Sequence, residues 1–372
     1  MFSRRSTQIT DYYQPPLALK NGTAMTVYLA LKAAKNWQNT TPFAEPIYQE
    51  VMFQGVENTP IFGQITKPDS AKGTIIGTYG ITGNLENQWF LRLLGRKAYA
   101  QGYAVVLFDW RAHGKTAKFS PTLTSDGLYE GKDFVQIAAQ AQKMGCPAPF
   151  WLTGYSLGGQ LALWGIQAAE TISEWGSDLT FNPADIGGSA VICPSLDSNR
   201  SLTYLMKHPV GKHLEQAITR ALKALAKQIH HFHPQAIDLN LVEQVNNIRD
   251  FDEKLVIQHL GFKTVEAYYQ ASSPLHFLPD LTKPTLMIYA ADDPLFDPTI
   301  VNDLEDIAQQ NSTLDLLLTR YGGHVGYISG KFCQQYCNDP DQWWAWNRIL
   351  EWCDQKTVNY STALHEGRGS KE

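Results

Sequence analysis

The sequence is short of cysteine, of net charge and of long apolar runs, and each shortage closes off a class of protein. Only five of 372 residues are cysteine (146, 193, 333, 337 and 353), an odd number with no Cys-x-x-Cys pair. A disulfide framework is therefore not expected, and free thiols in a reducing compartment are. Cys333 and Cys337, one helical turn apart, leave room for a bridge or half a zinc site. A formal net charge of −5 gives no basic footprint for nucleic acid. No stretch approaches the roughly 18 consecutive apolar residues a membrane helix needs. Residues 1–10 hold two arginines with no apolar run behind them, so no signal peptide is expected. The expectation is a soluble, cytoplasmic protein, with peripheral contact at a membrane left open. Internal repeats and low-complexity tracts are also lacking.

What the sequence has is a globular composition, 44% apolar and 18% charged, and strands alternating with helices. Tyr48–Phe53 and Ile61–Thr66 read as a hairpin. Gly73–Tyr79, Ala104–Asp109, Phe150–Gly154, Ser189–Cys193, Thr285–Ala290 and Leu314–Thr319 read as strands, and the continuous apolar run Ala104–Asp109 has the pattern of one buried on both faces. Helical stretches lie at about Gln88–Gln101, Asp126–Met144 and Gly158–Ala169. This alternation predicts an α/β fold with a mostly parallel central sheet of about eight strands flanked by helices. Residues 196–273 break the rhythm. Around His213–Ile229 they show a stripe of Leu214, Ala217, Ile218, Ala221, Leu222, Leu225 and Ile229. We expect an N-terminal extension over 1–45 with a helix from about Thr23 to Trp37. A core over 46–196 and 274–355, a helical cap inserted over 197–273 and a tail over 356–372 complete the division.

The chemistry centres on Gly154-Tyr155-Ser156-Leu157-Gly158. Gly-x-Ser-x-Gly alone is a weak signal, but here an apolar strand runs into it and a helix runs out. A nucleophile on a sharp strand-to-helix turn has strained backbone angles and needs small neighbours. Ser156 is thus the candidate nucleophile. A serine hydroxyl needs a base, and His324 follows the last strand in a loop with glycines on both sides. The acid that orients the imidazole belongs after the preceding strand, where Asp293 is favoured over Asp292, with Asp297 and Asp197 further off. Two backbone N–H groups are expected to hold the oxyanion, one from Leu157 and one from Ile81. The order Ser…Asp…His is that of α/β-hydrolases. No metal or cofactor is called for. The histidines at 208, 213, 230, 231 and 233 match no zinc spacing. Asp109, Arg111 and His113 are expected to form a hydrogen-bonded loop, and Trp343, Trp344, Trp346 and Trp352 to pack in the core.

Five segments together, Tyr-Gly-Ile-Thr-Gly (79–83), Phe-Asp-Trp-Arg-Ala-His-Gly (108–114), Gly-Tyr-Ser-Leu-Gly-Gly (154–159), Ala-Ala-Asp-Asp-Pro (290–294) and Gly-Gly-His-Val-Gly-Tyr (322–327), resemble the YheT-like α/β-hydrolases. Pro15–Gly22 and the stretch from Phe251 to Pro274 are similar to that family too. The resemblance implies the α/β-hydrolase fold and the triad Ser156, Asp293 and His324. Its implied activity is carboxylic ester hydrolysis on a small-molecule ester, with medium-chain acyl or lipid esters in view. Acyl transfer to an alcohol by the same triad is the alternative, and a catalytically idle binding protein the reading of another class. The sequence departs from the family at Tyr79-Gly80, where His-Gly is usual, and at Arg111-Ala112, where Arg-Gly is usual.

Overall fold

The structure is a computed structural model that describes residues 12–207 and 209–369. The first eleven residues of the expected N-terminal extension, and the last three of the expected tail, lie outside that range, as does His208. Eight strands form one sheet: β1 (Gln49–Gln54), β2 (Pro60–Thr66), β3 (Thr74–Thr78), β4 (Ala104–Phe108), β5 (Phe150–Tyr155), β6 (Ile186–Ile192), β7 (Thr285–Ala290) and β8 (Leu314–Thr319), in the order β1-β2-β4-β3-β5-β6-β7-β8. The expected hairpin β1–β2 is antiparallel and pairs with β4 at one side; every later pairing is parallel. The strands β3, β4, β5 and β7 are buried along their whole length, because crossover helices cover both faces of a parallel sheet. Each buried Leu, Ile or Val side chain in them contributes roughly 1.5–3 kcal/mol.

Two local readings need correction. The helix expected from Asp126 begins at Glu130. Asp126 and Gly127 both take positive φ, 49° and 115°. The Glu130 carboxylate caps the start instead, accepting from the N–H groups of Ser125 and Gly127 at 3.0 Å each. In the long helix Pro209–Phe232 the buried line runs through Glu215, Thr219, Leu222, Ala226 and Ile229, while Ala217 is exposed. Glu215 is tolerated there because it accepts from Thr219 Oγ1 at 2.9 Å and from the Ile248 N–H at 2.6 Å. Helix Trp344–Gly369 spans residue 355.

The loops after β3 and β4 are tied to each other and to the sheet. Asp109 accepts from the Tyr79 hydroxyl at 2.5 Å and from the N–H groups of Leu85 and Lys115 at 2.8 Å each. Tyr79, the departure from the family's His, thus anchors its loop through a buried hydroxyl. His113 takes the Thr82 N–H on Nε2 at 3.0 Å, so its Nδ1–H donates to the Arg111 carbonyl at 2.9 Å. Burial pulls the His113 pKa down to about 4, which keeps that neutral tautomer in place at neutral pH. Arg111 forks onto Asp133 at 2.7 and 3.0 Å, both side chains almost fully buried. An Arg111→Met variant should lose about 3–5 kcal/mol of unfolding free energy in a urea titration, since the Asp133 charge would stay buried without its partner.

Candidate active site

The strand order brings the ends of β5, β7 and β8 to one edge, the usual place for a site in an α/β sheet. Ser156 follows β5 with φ 55° and ψ −130°, a strained conformation for a side-chain-bearing residue. Its neighbours explain why the strain is tolerated. A Cβ on Gly154 would sit 2.2 Å from the Gly158 carbonyl oxygen, and one on Gly158 would sit 2.4 Å from that of Tyr79. The chain closes on itself only because both positions are glycine.

His324 lies in the loop after β8 and Asp293 in the loop after β7. His324 Nε2 is 2.9 Å from Ser156 Oγ, and His324 Nδ1 is 2.8 Å from Asp293 Oδ2. A carboxylate opposite Nδ1 places the proton there, so Nε2 is left to accept from the serine hydroxyl. The other Asp293 oxygen accepts from the Leu295 N–H at 2.9 Å. Asp292 turns away and accepts from the Gly323 N–H at 2.9 Å. Asp297 accepts from the Thr299 N–H at 2.9 Å, and Asp197 from the Arg200 N–H at 3.0 Å, so both serve local turns and caps. Phe296 sets its ring edge-on to His324, with centroids 5.2 Å apart.

Leu157 opens helix Leu157–Glu170, so its N–H belongs to the first turn, where intrahelical partners are lacking. The loop carrying Ile81 lies directly on the serine: a Cβ on Gly80 would sit 3.0 Å from Ser156 Cβ. Ser156, Leu157 and Ile81 line one cavity together with residues of the insertion, among them Leu202, Ile218, Leu222 and Phe251. Its volume of about 100 Å³ is several times the roughly 10–15 Å³ that one water needs.

One contact at the site has no counterpart in the sequence reading. The N-terminal helix Gly22–Tyr28 packs beneath the histidine loop, and Thr26 Oγ1 accepts from the His324 N–H at 2.9 Å while donating to the Gly22 carbonyl at 2.8 Å. Gly22 in turn presses on Asp292, whose carbonyl oxygen would be 1.7 Å from any Cβ there. A hydroxyl whose acceptor role is to a residue 298 positions away in sequence leaves no local pattern to read.

The five cysteines are free, and the Cys337 thiol is pulled down to about 6, chiefly by a hydrogen bond from Cys333. Among the described residues no group of three or more His, Cys, Asp or Glu is arranged to hold a metal ion, and no helix is long and apolar enough to cross a membrane.

Residues 83–331 match the model of the "Alpha/beta hydrolase family". The chain belongs to that family. It is 52% identical to the Synechocystis sp. protein named "Putative esterase slr0264", over 93% of this chain and 95% of that one. It is 27% identical to Phospholipase ABHD3 of Mus musculus over 72% of this chain, a match that spans 61% of the mouse protein. Among solved structures, the Pyrococcus furiosus esterase Pf2001 aligns with a TM-score of 0.53 at 16% identity, covering 86% of this chain and 95% of that one. That likeness is one of fold. Within the family the chain is a hydrolase by its relatives, and its eight-stranded sheet is the family's architecture.

Proposed function

We propose that the protein is a serine esterase that cleaves carboxylic esters through an acyl-enzyme, with Ser156 as nucleophile, His324 as base and Asp293 as the acid that orients it. The observation that carries this reading is the imidazole of His324, hydrogen-bonded to Ser156 Oγ on one side and to the Asp293 carboxylate on the other. Ser156 Oγ attacks the ester carbonyl carbon and its proton passes to His324 Nε2. The Leu157 and Ile81 N–H groups stabilise the oxyanion. His324 then protonates the departing alcohol. Water, deprotonated by the same imidazole, releases the acid and restores the serine. The names of the relatives, an esterase and a phospholipase, support an ester as substrate. The leucines and isoleucines of the insertion support an apolar acyl chain of medium length.

A fluorophosphonate probe should label the wild-type protein, and p-nitrophenyl esters from butyrate to decanoate should be hydrolysed. Folded protein that neither takes the probe nor turns over any ester of the series would overturn the reading.

The Thr26 contact gives a second test. Thr26→Val keeps the side-chain shape but leaves the His324 N–H without its acceptor. Because small misplacements of catalytic groups are expensive in rate, kcat should fall about ten-fold with little change in KM, and Thr26→Ser should restore it. Equal activity in the valine variant would remove Thr26 as a positioning residue.

A further inference from the structure

The cavity beside Ser156 is not apolar throughout. Two carboxyl groups stand in its wall: Asp126 from the loop before helix Glu130–Lys143, and Asp252 from the helical insertion. Each residue is only 7% exposed. The neighbouring cation Arg249 pairs with Glu266 instead, at 3.2 Å. A buried carboxylate without a counter-ion is unfavourable unless it finds hydrogen-bond donors or a proton. The protein supplies few donors. Asp126 Oδ1 accepts from Thr124 Oγ1 at 3.3 Å, with the buried Tyr268 hydroxyl also beside its carboxyl, and Asp252 Oδ2 accepts from the Tyr269 hydroxyl, where a carboxylate has room for about four. Burial, with the Glu130 charge added, pushes Asp126 up to about 7, and burial with the Asp126 charge pushes Asp252 well above the usual range. A carboxyl raised in this way holds its proton more readily and can then donate as well as accept.

Ser201 gives an independent sign. It lines the same cavity, is 4% exposed, and its hydroxyl has no partner. Buried hydroxyls are normally bonded, so this one is placed for something that enters the cavity. The scale of the separation is set by Gln160, whose side-chain amide donates to the Asp126 backbone carbonyl at 2.8 Å. Gln160 is the fourth residue of the helix Leu157–Glu170 that follows Ser156, roughly 6 Å along its axis. His324, which must protonate the leaving alcohol, is not part of the cavity lining and is partly open to solvent, at 13% side-chain exposure. The alcohol half of a substrate thus departs outside, and the cavity takes the acyl half.

We propose that the cavity binds acyl chains that carry a hydroxyl group several carbons from the reacting carbonyl, held by Asp126, Asp252 and Ser201. A hydroxyl both donates and accepts, whereas an ammonium group only donates, and a bare methylene would leave the Ser201 hydroxyl without a partner and the two carboxyls short of donors. The proposal rests on the esterase reading above and narrows its substrate class.

The test uses ethyl decanoate and its analogues hydroxylated singly at C6 to C10, with acid release followed by chromatography. At least one hydroxylated ester should exceed ethyl decanoate ten-fold or more in kcat/KM, the return of one hydrogen bond to a charged or polar buried group. In Asp126→Asn and in Ser201→Ala that ratio should fall towards one. Wild-type protein that hydrolyses ethyl decanoate as well as or better than every hydroxylated ester overturns the proposal, whatever the variants do. Protein that hydrolyses no ester at all, and takes no fluorophosphonate, overturns the esterase reading and this one with it.

Discussion

Ser156→Ala should lower kcat for ester hydrolysis by about 10⁶-fold and abolish fluorophosphonate labelling, the size of loss that removal of a serine nucleophile produces in other triads. The effect is large because nothing else in the site can form the acyl bond. Among the described residues His324 Nε2 hydrogen-bonds to Ser156 Oγ, and Cys193, the nearby thiol that bonds to the Gly323 carbonyl and the Tyr327 hydroxyl, is held far above its usual pKa by burial. His324→Ala should cost a similar factor. The double variant should be no worse than either single one, since each substitution disables the same attacking step. The fold should survive. The residue is a turn whose closure is fixed by Gly154 and Gly158, and alanine keeps the Cβ that serine has. Unchanged thermal unfolding beside lost turnover is therefore the expected pair of results; comparable kcat in wild-type and Ser156→Ala would assign the chemistry elsewhere.

Most of the sheet was legible because parallel strands buried on both faces write themselves as unbroken apolar runs, as in Ala104–Phe108. The turn at Ser156 was legible for a related reason: a steric demand for two glycines leaves a mark at fixed spacing. Asp109 and His113 were readable as a loop, although the bonds that fix them, to Tyr79 and to the Thr82 N–H, were not. What stayed hidden depends on contacts between distant segments. The buried stripe of helix Pro209–Phe232 could not be read from apolarity alone, because Glu215 and Thr219 satisfy each other and the Ile248 N–H and so can go inside. The early end of the stretch read as helix from Asp126 reflects a side chain, Glu130, reaching back to cap its own helix. The bracing of the histidine loop by Thr26, and the meeting of Asp126 with Asp252 in the cavity, join parts of the chain that share no periodicity.

The adjacent acids give the sharpest discrimination. Asp293→Asn should reduce kcat by about 10⁴-fold, because an amide facing Nδ1 favours the wrong imidazole tautomer and cannot balance the imidazolium that forms. Asp292→Asn should stay within a few-fold of wild type, since an amide oxygen can still accept from the Gly323 N–H. The two should also part in stability. Burial pushes the Asp292 carboxyl from 3.8 up to about 6, against the Gly323 hydrogen bond that favours its charge, with the Asp293 charge raising it further. A carboxyl raised in the folded state is no burden below about pH 4, where it is protonated in both states. The penalty grows as pH rises through that window and is complete above pH 6. Asp292→Asn should thus be as stable as wild type at pH 4 and more stable at pH 8, by about 1 kcal/mol once the water that reaches this partly exposed side chain is allowed for. Urea titrations at the two pH values, run beside the kinetics, give both readings from the same preparations. A large kcat loss in Asp292→Asn with Asp293→Asn spared would exchange the roles of the two residues, despite the 2.8 Å contact that now favours Asp293.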